Sequence, residues 1–245
     1  MKGQPGRPLF GVGLAALGIL DLVFRDTVMW KVLPKGAPAP AVWSVASGLL
    51  LIAVGVGILS GRLRNEAVRV LVAFLLVWDV VIGIPPVVES PRVEVTWLVL
   101  GMMTIVLVAA WLLTGTTRLR AARTIVGLSL IPVGLSHFFY LQTTLNLVPT
   151  WMPVRVVWVY LAGAGHIAAG VAVLFGVVPR LAALMEAGML MAFAVLVWIP
   201  KVSTSPGMHF YWTELLGTWV IGAAMWAVAD SYPLRVHDQS RERSP

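Results

Sequence analysis

Eight ionisable side chains interrupt otherwise apolar stretches of this sequence: Asp21, Asp79, His137, His166, Glu186, Lys201, His209 and Glu214. A charge left unpaired in hydrocarbon costs several kcal/mol, so each is a functional-site candidate by default. Asp21, His137, Asp79 and Glu214 fall about three to six residues, roughly 5 to 9 Å, inside the outer ends of the helices expected below. His166 falls near the midplane, Lys201 and His209 at the outer interface, and Glu186 near a cytoplasmic helix end where Arg180 could satisfy it. The spacing predicts one outward-facing pocket containing His137, Glu214, Lys201 and His209, walled by Tyr140, Tyr160, Trp198, Tyr211 and Trp212. Glu214, His137 and Asp21 are the acid–base candidates, and His166 and Asp79 join the others as ligand-binding candidates. Structural roles compete with these. Lys201, His209 and the aromatics also suit a headgroup layer with its aromatic belt, His166 suits a buried neutral imidazole, and Asp21 or Asp79 could pair with Arg25 or with the histidines.

Other chemistries lack the residues they need. The chain has no cysteine, which excludes thiolate nucleophiles, disulfide relays, iron–sulfur ligation and covalent c-type haem. Straight helices would place His137 and His166 about 12 Å apart in height, too far to share one iron. No His and carboxylate cluster has metal-like spacing, and no glycine-rich loop follows a strand, so metal, flavin and nucleotide chemistry find no support.

The elements that must position these groups are transmembrane helices. Of 245 residues 59% are hydrophobic and 12% charged, about half the charged share of a soluble domain. Apolar runs near 8–24, 40–59, 66–84, 93–114, 122–141, 154–178, 180–200 and 208–230 predict eight spans of an all-α polytopic membrane protein. The +7 net charge is a topology signal and not a nucleic-acid footprint. Lys2, Arg7, Arg62, Arg64, Arg69, Arg118, Arg120, Arg123, Arg180, Arg235, Arg241 and Arg243 share one side, against Arg25, Lys31, Lys35, Arg92, Arg155 and Lys201 on the other. The positive-inside rule then puts both termini in the cytoplasm, with the chain integral to a bacterial plasma membrane.

The sequence also repeats itself at an offset of 115 residues: Trp43 with Trp158, Gly48 with Gly163, Gly55 with Gly170, Gly61 with Gly176, Pro85 with Pro200, Trp97 with Trp212 and Trp111 with Trp226. A one-residue gap pairs Gly18 with Gly134 and Asp21 with His137. The expected organisation is two tandem four-helix repeats, 1–116 and 117–232, followed by a cytoplasmic polar tail at 233–245. Both halves would enter the membrane in the same direction. Glycines seven apart imply close helix packing, and Pro85 and Pro200 are expected to end the third and seventh helices. The polar equipment is not duplicated, since Leu51 stands opposite His166, Val99 opposite Glu214 and Ala194 opposite Asp79.

The second half carries Gly134-Leu135-Ser136-His137-Phe138, then Val148-Pro149-Thr150-Trp151-Met152-Pro153, then Gly163-x-Gly165-His166 with Gly170, then Arg180-Leu181-Ala182-Ala183. Over roughly 122–200 this resembles the DoxX-like family of four-helix membrane proteins. The resemblance implies a subunit of a membrane redox complex, holding a quinone or similar lipid-soluble molecule and receiving electrons from a partner protein. Similarity to four-helix proteins of the EXPERA type implies an alternative, acid–base isomerisation or cyclisation of an isoprenoid or sterol-like lipid. A non-catalytic lipid-binding or scaffolding protein fits the composition as well.

Overall fold

A computed structural model describes residues 5–29, 31–32, 39–61 and 63–232. Lys2, Lys35, Arg62, Arg235, Arg241, Arg243 and the tail expected at 233–245 lie outside the described residues. The helices are α1 (Gly6–Phe24), α2 (Pro40–Ser60), α3 (Arg64–Glu89), α4 (Glu94–Leu113), α5 (Leu119–Phe139), α6 (Arg155–Phe175), α7 (Pro179–Thr204) and α8 (His209–Asp230). After α1 the strands β1 (Thr27–Val28) and β2 (Lys31–Val32) form a two-residue antiparallel ladder. The protein is an all-α polytopic membrane protein.

Hydrocarbon offers no water to backbone N–H and C=O groups, so a spanning segment must satisfy them within itself, and these apolar runs do so as helices. Among the described residues seven helices, α1 to α7, are long and apolar enough to cross a membrane. The eighth, α8, has 22 residues and packs in the same bundle, but His209, Glu214, Asp230 and three tryptophans lower its mean hydropathy. Within the seven spans only 33–44% of the most apolar window is buried, which leaves wide apolar faces for lipid. Both ends of the bundle lie on one face, where the Gly6 N–H donates to Asp230 Oδ2 at 3.1 Å.

The 115-residue recurrence extends to local geometry. Gly61 and Gly176 close α2 and α6 with φ of 72° and 71°, the left-handed C-terminal conformation glycine adopts without penalty. Ala39 and Val154 precede the same helices with φ of 47° and 46°. Trp97 Nε1 donates to the Pro91 carbonyl at 2.9 Å, and Trp212 Nε1 to the Pro206 carbonyl at 2.9 Å.

Pro85 and Pro200 do not end their helices, as the sequence led us to expect. A π-helical turn precedes each, Asp79–Gly83 and Ala194–Trp198, and helix continues through the proline to Glu89 and Thr204. Widening the ladder by one residue shifts the backbone register just before the proline, where its missing N–H and ring would otherwise disrupt an unbroken α-helix.

The halves are interlocked. Besides its neighbour α2, α1 packs on α8 of the other half; correspondingly α5 packs on α6 and on α4, and α4 crosses α8. The eight helices therefore close a ring, and one buried apolar core runs through both halves, from Phe10, Leu14 and Leu17 through Met103 and Val106 to Leu130, Val220 and Met225.

Candidate functional site

The glycine seams bring the first set of polar groups together. A Cβ built on Gly134 would lie 2.6 Å from the Gly163 carbonyl oxygen, so α5 and α6 touch backbone to backbone. A Cβ on Gly163 would also meet His137 Cβ at 2.9 Å. The missing side chain makes the room that His137 occupies. Its ring lies 5.0 Å, centroid to centroid, from that of His166 at a 45° tilt, and the edge of Phe193 closes on His166 at 6.2 Å.

Each imidazole is oriented by its Nδ1. In His137, Nδ1 lies 3.1 Å from the carbonyl oxygen of Val133, one turn earlier on α5, with Ser136 Oγ at 3.4 Å. A carbonyl can only accept, so Nδ1 carries the proton and, in the neutral ring, Nε2 is the free acceptor. His166 Nδ1 lies 2.6 Å from Glu186 Oε1 on α7, and the two side chains are 1% and 0% exposed. Glu186 Oε2 has no hydrogen-bond partner among the described residues. His137 is half-buried, which makes it the edge of this cluster open to an approaching molecule.

This geometry corrects two expectations. The Gly134–Gly163 and Gly127–Gly170 contacts set the register of α5 on α6, and from it the two imidazoles reach each other. His137 and His166 are thus adjacent and not about 12 Å apart in height. Glu186, assigned from sequence to the neighbourhood of Arg180, is instead the partner of His166. A signal for it was present: His166 lies ten residues before Gly176 and Glu186 ten after, which sets them level on an antiparallel helix pair.

The outward-facing residues do not join this cluster in one pocket. Lys201 Nζ sits 5.5 Å from the centroid of the Tyr211 ring. His209 stacks on Phe24 at 3.7 Å, with its Nδ1 3.3 Å from Asp26 Oδ1, so it belongs to the contact with α1. Trp198 is buried against Phe210, and Trp212 is tied to Pro206. Glu214 is half-buried on α8, a helix that packs on α1, α4 and α7, whereas His137 lies on α5 against α6. Tyr140 Oη accepts from the Val95 N–H at 3.2 Å, and Tyr160 lies against Phe138 at 5.7 Å.

The first half buries a different set. Asp21 is fully buried, and its Oδ2 accepts from Ser47 Oγ at 2.7 Å and from the Met29 N–H at 3.3 Å. Ser44 Oγ donates to the Asp21 carbonyl at 2.8 Å. Asp79 begins the π-helical turn of α3; its Oδ2 accepts from Thr104 Oγ1 at 3.3 Å, and Oδ1 has no hydrogen-bond partner among the described residues. Neither aspartate joins the histidines. Ser47 and Thr104 escape a sequence search for ionisable groups because hydroxyls are common in spans. Among the described residues no group of three or more His, Cys, Asp and Glu is placed to hold a metal ion.

A family model described as Domain of unknown function (DUF8561) matches residues 126–199. The matched stretch contains His137, His166 and Glu186. No curated protein and no solved structure matches the chain.

Proposed function

We propose that this protein binds a quinone-like, lipid-soluble molecule within the membrane and exchanges a proton with it through His137, His166 and Glu186. The observation that carries the reading is the buried His166–Glu186 contact of 2.6 Å beside the half-buried ring of His137. A quinol hydroxyl needs an acceptor, which the free Nε2 of His137 supplies. His166 and Glu186 together hold one proton in either of two arrangements, a suitable store beside a group that gains and loses protons. Reduction of the bound quinone also needs electrons, and a cysteine-free chain would receive these from a redox partner protein, as the DoxX-like resemblance implies.

The finer placement belongs to the same proposal. Basic residues concentrated on the side of the bundle ends favour cytoplasmic termini in a bacterial plasma membrane. Residues 1–116 and 117–232 act as two repeat units, of which the second carries the proton-exchanging cluster.

The test is binding of a short-chain quinone to detergent-purified protein, followed by quenching of tryptophan fluorescence, together with mass spectrometry of co-purified lipid. Saturable binding weakened at least tenfold by His137→Ala, with helicity retained, is the expected result. A wild-type protein that carries no quinone and shows no saturable binding overturns the reading.

A further inference from the structure

A second site lies at the seam where α4 meets α5, on the face opposite the bundle ends. A groove of about 410 Å³ opens there, with Trp97, Leu128, Leu135 and Phe139 along its apolar length and Arg92 and Glu94 at one end. Among the described residues neither carboxylate oxygen of Glu94 has a hydrogen-bond partner, and no ion pair joins it to Arg92. A carboxylate shielded from water without a partner is costly, and a cation is its natural complement.

The repeat provides an internal comparison. The position 115 residues after Glu94 is His209, and that after Arg92 is Gly207. The Trp97–Pro91 and Trp212–Pro206 bonds show that the local frame is the same at both seams. At the α8–α1 seam the chain fills the place itself, with His209 stacked on Phe24 and paired with Asp26. At the α4–α5 seam Tyr140 closes on the Val95 N–H, but among the described residues no side chain pairs with Glu94, and an exposed guanidinium and this carboxylate stand together at the end of an apolar groove.

We infer that the α4–α5 groove binds an aminophospholipid, its phosphate on Arg92, its primary ammonium on Glu94, and an acyl chain along Trp97, Leu128, Leu135 and Phe139. Arg92 offers the forked donors that suit phosphate oxygens, and Glu94 accepts the N–H donors of an ammonium. A choline headgroup has the same charges but no N–H to donate, so the site discriminates by hydrogen bonding and not by charge alone. The groove is independent of the His137 cluster, and its assignment does not rest on quinone binding.

The experiment is native mass spectrometry of the delipidated 245-residue chain reloaded in detergent with phosphatidylethanolamine, phosphatidylcholine or phosphatidylglycerol of matched acyl chains. One phosphatidylethanolamine per chain should be retained at least tenfold more strongly than phosphatidylcholine. Glu94→Gln should bring the two to the same level, and Arg92→Ala should weaken retention of all three. A headgroup series from ethanolamine through its mono- and dimethyl forms gives a measure that needs no substitution, and retention should fall along it. Equal retention of ethanolamine and choline lipids by the unsubstituted chain, a flat methylation series, strongest retention of phosphatidylglycerol, or an unchanged preference in a folded Glu94→Gln variant would each overturn the assignment.

Discussion

His166 and Glu186 meet at 2.6 Å between α6 and α7, and the residues at the same positions of the first half, Leu51 and Leu71, are both fully buried leucines. One fold therefore holds, at two equivalent places, a polar pair and an apolar pair. The leucines show that the architecture itself does not require the histidine and the carboxylate.

That contrast makes the pair testable as a cycle. His166→Leu or Glu186→Leu alone strands a buried polar partner and should lower stability by about 3–5 kcal/mol. The double substitution recreates the Leu51–Leu71 arrangement and should come within about 1 kcal/mol of the parent, because a buried ion pair is often no more stabilising than apolar packing. Denaturant unfolding in micelles, followed by far-ultraviolet circular dichroism, measures all three. Additive losses in the double variant would mean that the two side chains stabilise the protein separately.

The hydroxyl clamp on Asp21 gives a second expectation. Ser47→Ala removes the 2.7 Å donor from a carboxylate that is fully buried, and should cost about 1–3 kcal/mol. Ser203→Ala, at an exposed hydroxyl bonded to Ile199 O, should change stability by less than about 0.5 kcal/mol. Thermal unfolding of both variants decides it, and equal shifts would show that the Ser47 bond has no special weight.

Glycine substitutions should divide by contact. Gly134→Ala puts a methyl 2.6 Å from the Gly163 carbonyl, so α5 and α6 must separate at a cost of about 1–3 kcal/mol. Gly188→Ala meets nothing within 4 Å on α7 and should be neutral or gain up to about 1 kcal/mol from helix propensity. If the Gly134 effect arises from helix separation, the same variant should also weaken quinone binding at the neighbouring His137. Normal binding in a destabilised protein would place the adjustment elsewhere.

Apolar run length and tryptophan spacing made the eight helices, their order and the 115-residue recurrence legible in the sequence. The heights of individual residues were less accessible. Counting residues from the helix ends gives backbone heights, whereas the register set by the Gly134–Gly163 contact and the reach of the two side chains bring the rings to 5.0 Å. Proline at 85 and 200 signals a helix end by itself, and the π-helical turn that lets helix continue has no comparably clear residue signature. The expected outer pocket failed for another reason. Sequence places Glu214 and His137 at similar depth, but only tertiary packing puts α8 on α1, α4 and α7 and leaves α5 against α4 and α6.

The interlocked ring has a bearing on how this membrane protein can specialise. Two identical four-helix chains associating in this way would have to carry every intramembrane polar group twice, once in each copy, with the desolvation cost of each. Joining the halves in one chain removes that constraint while keeping the shared core intact. Asp21 and Asp79 can then stay in one half and His166 with Glu186 in the other, so each buried device occurs once and faces a neighbour that is free to differ from it.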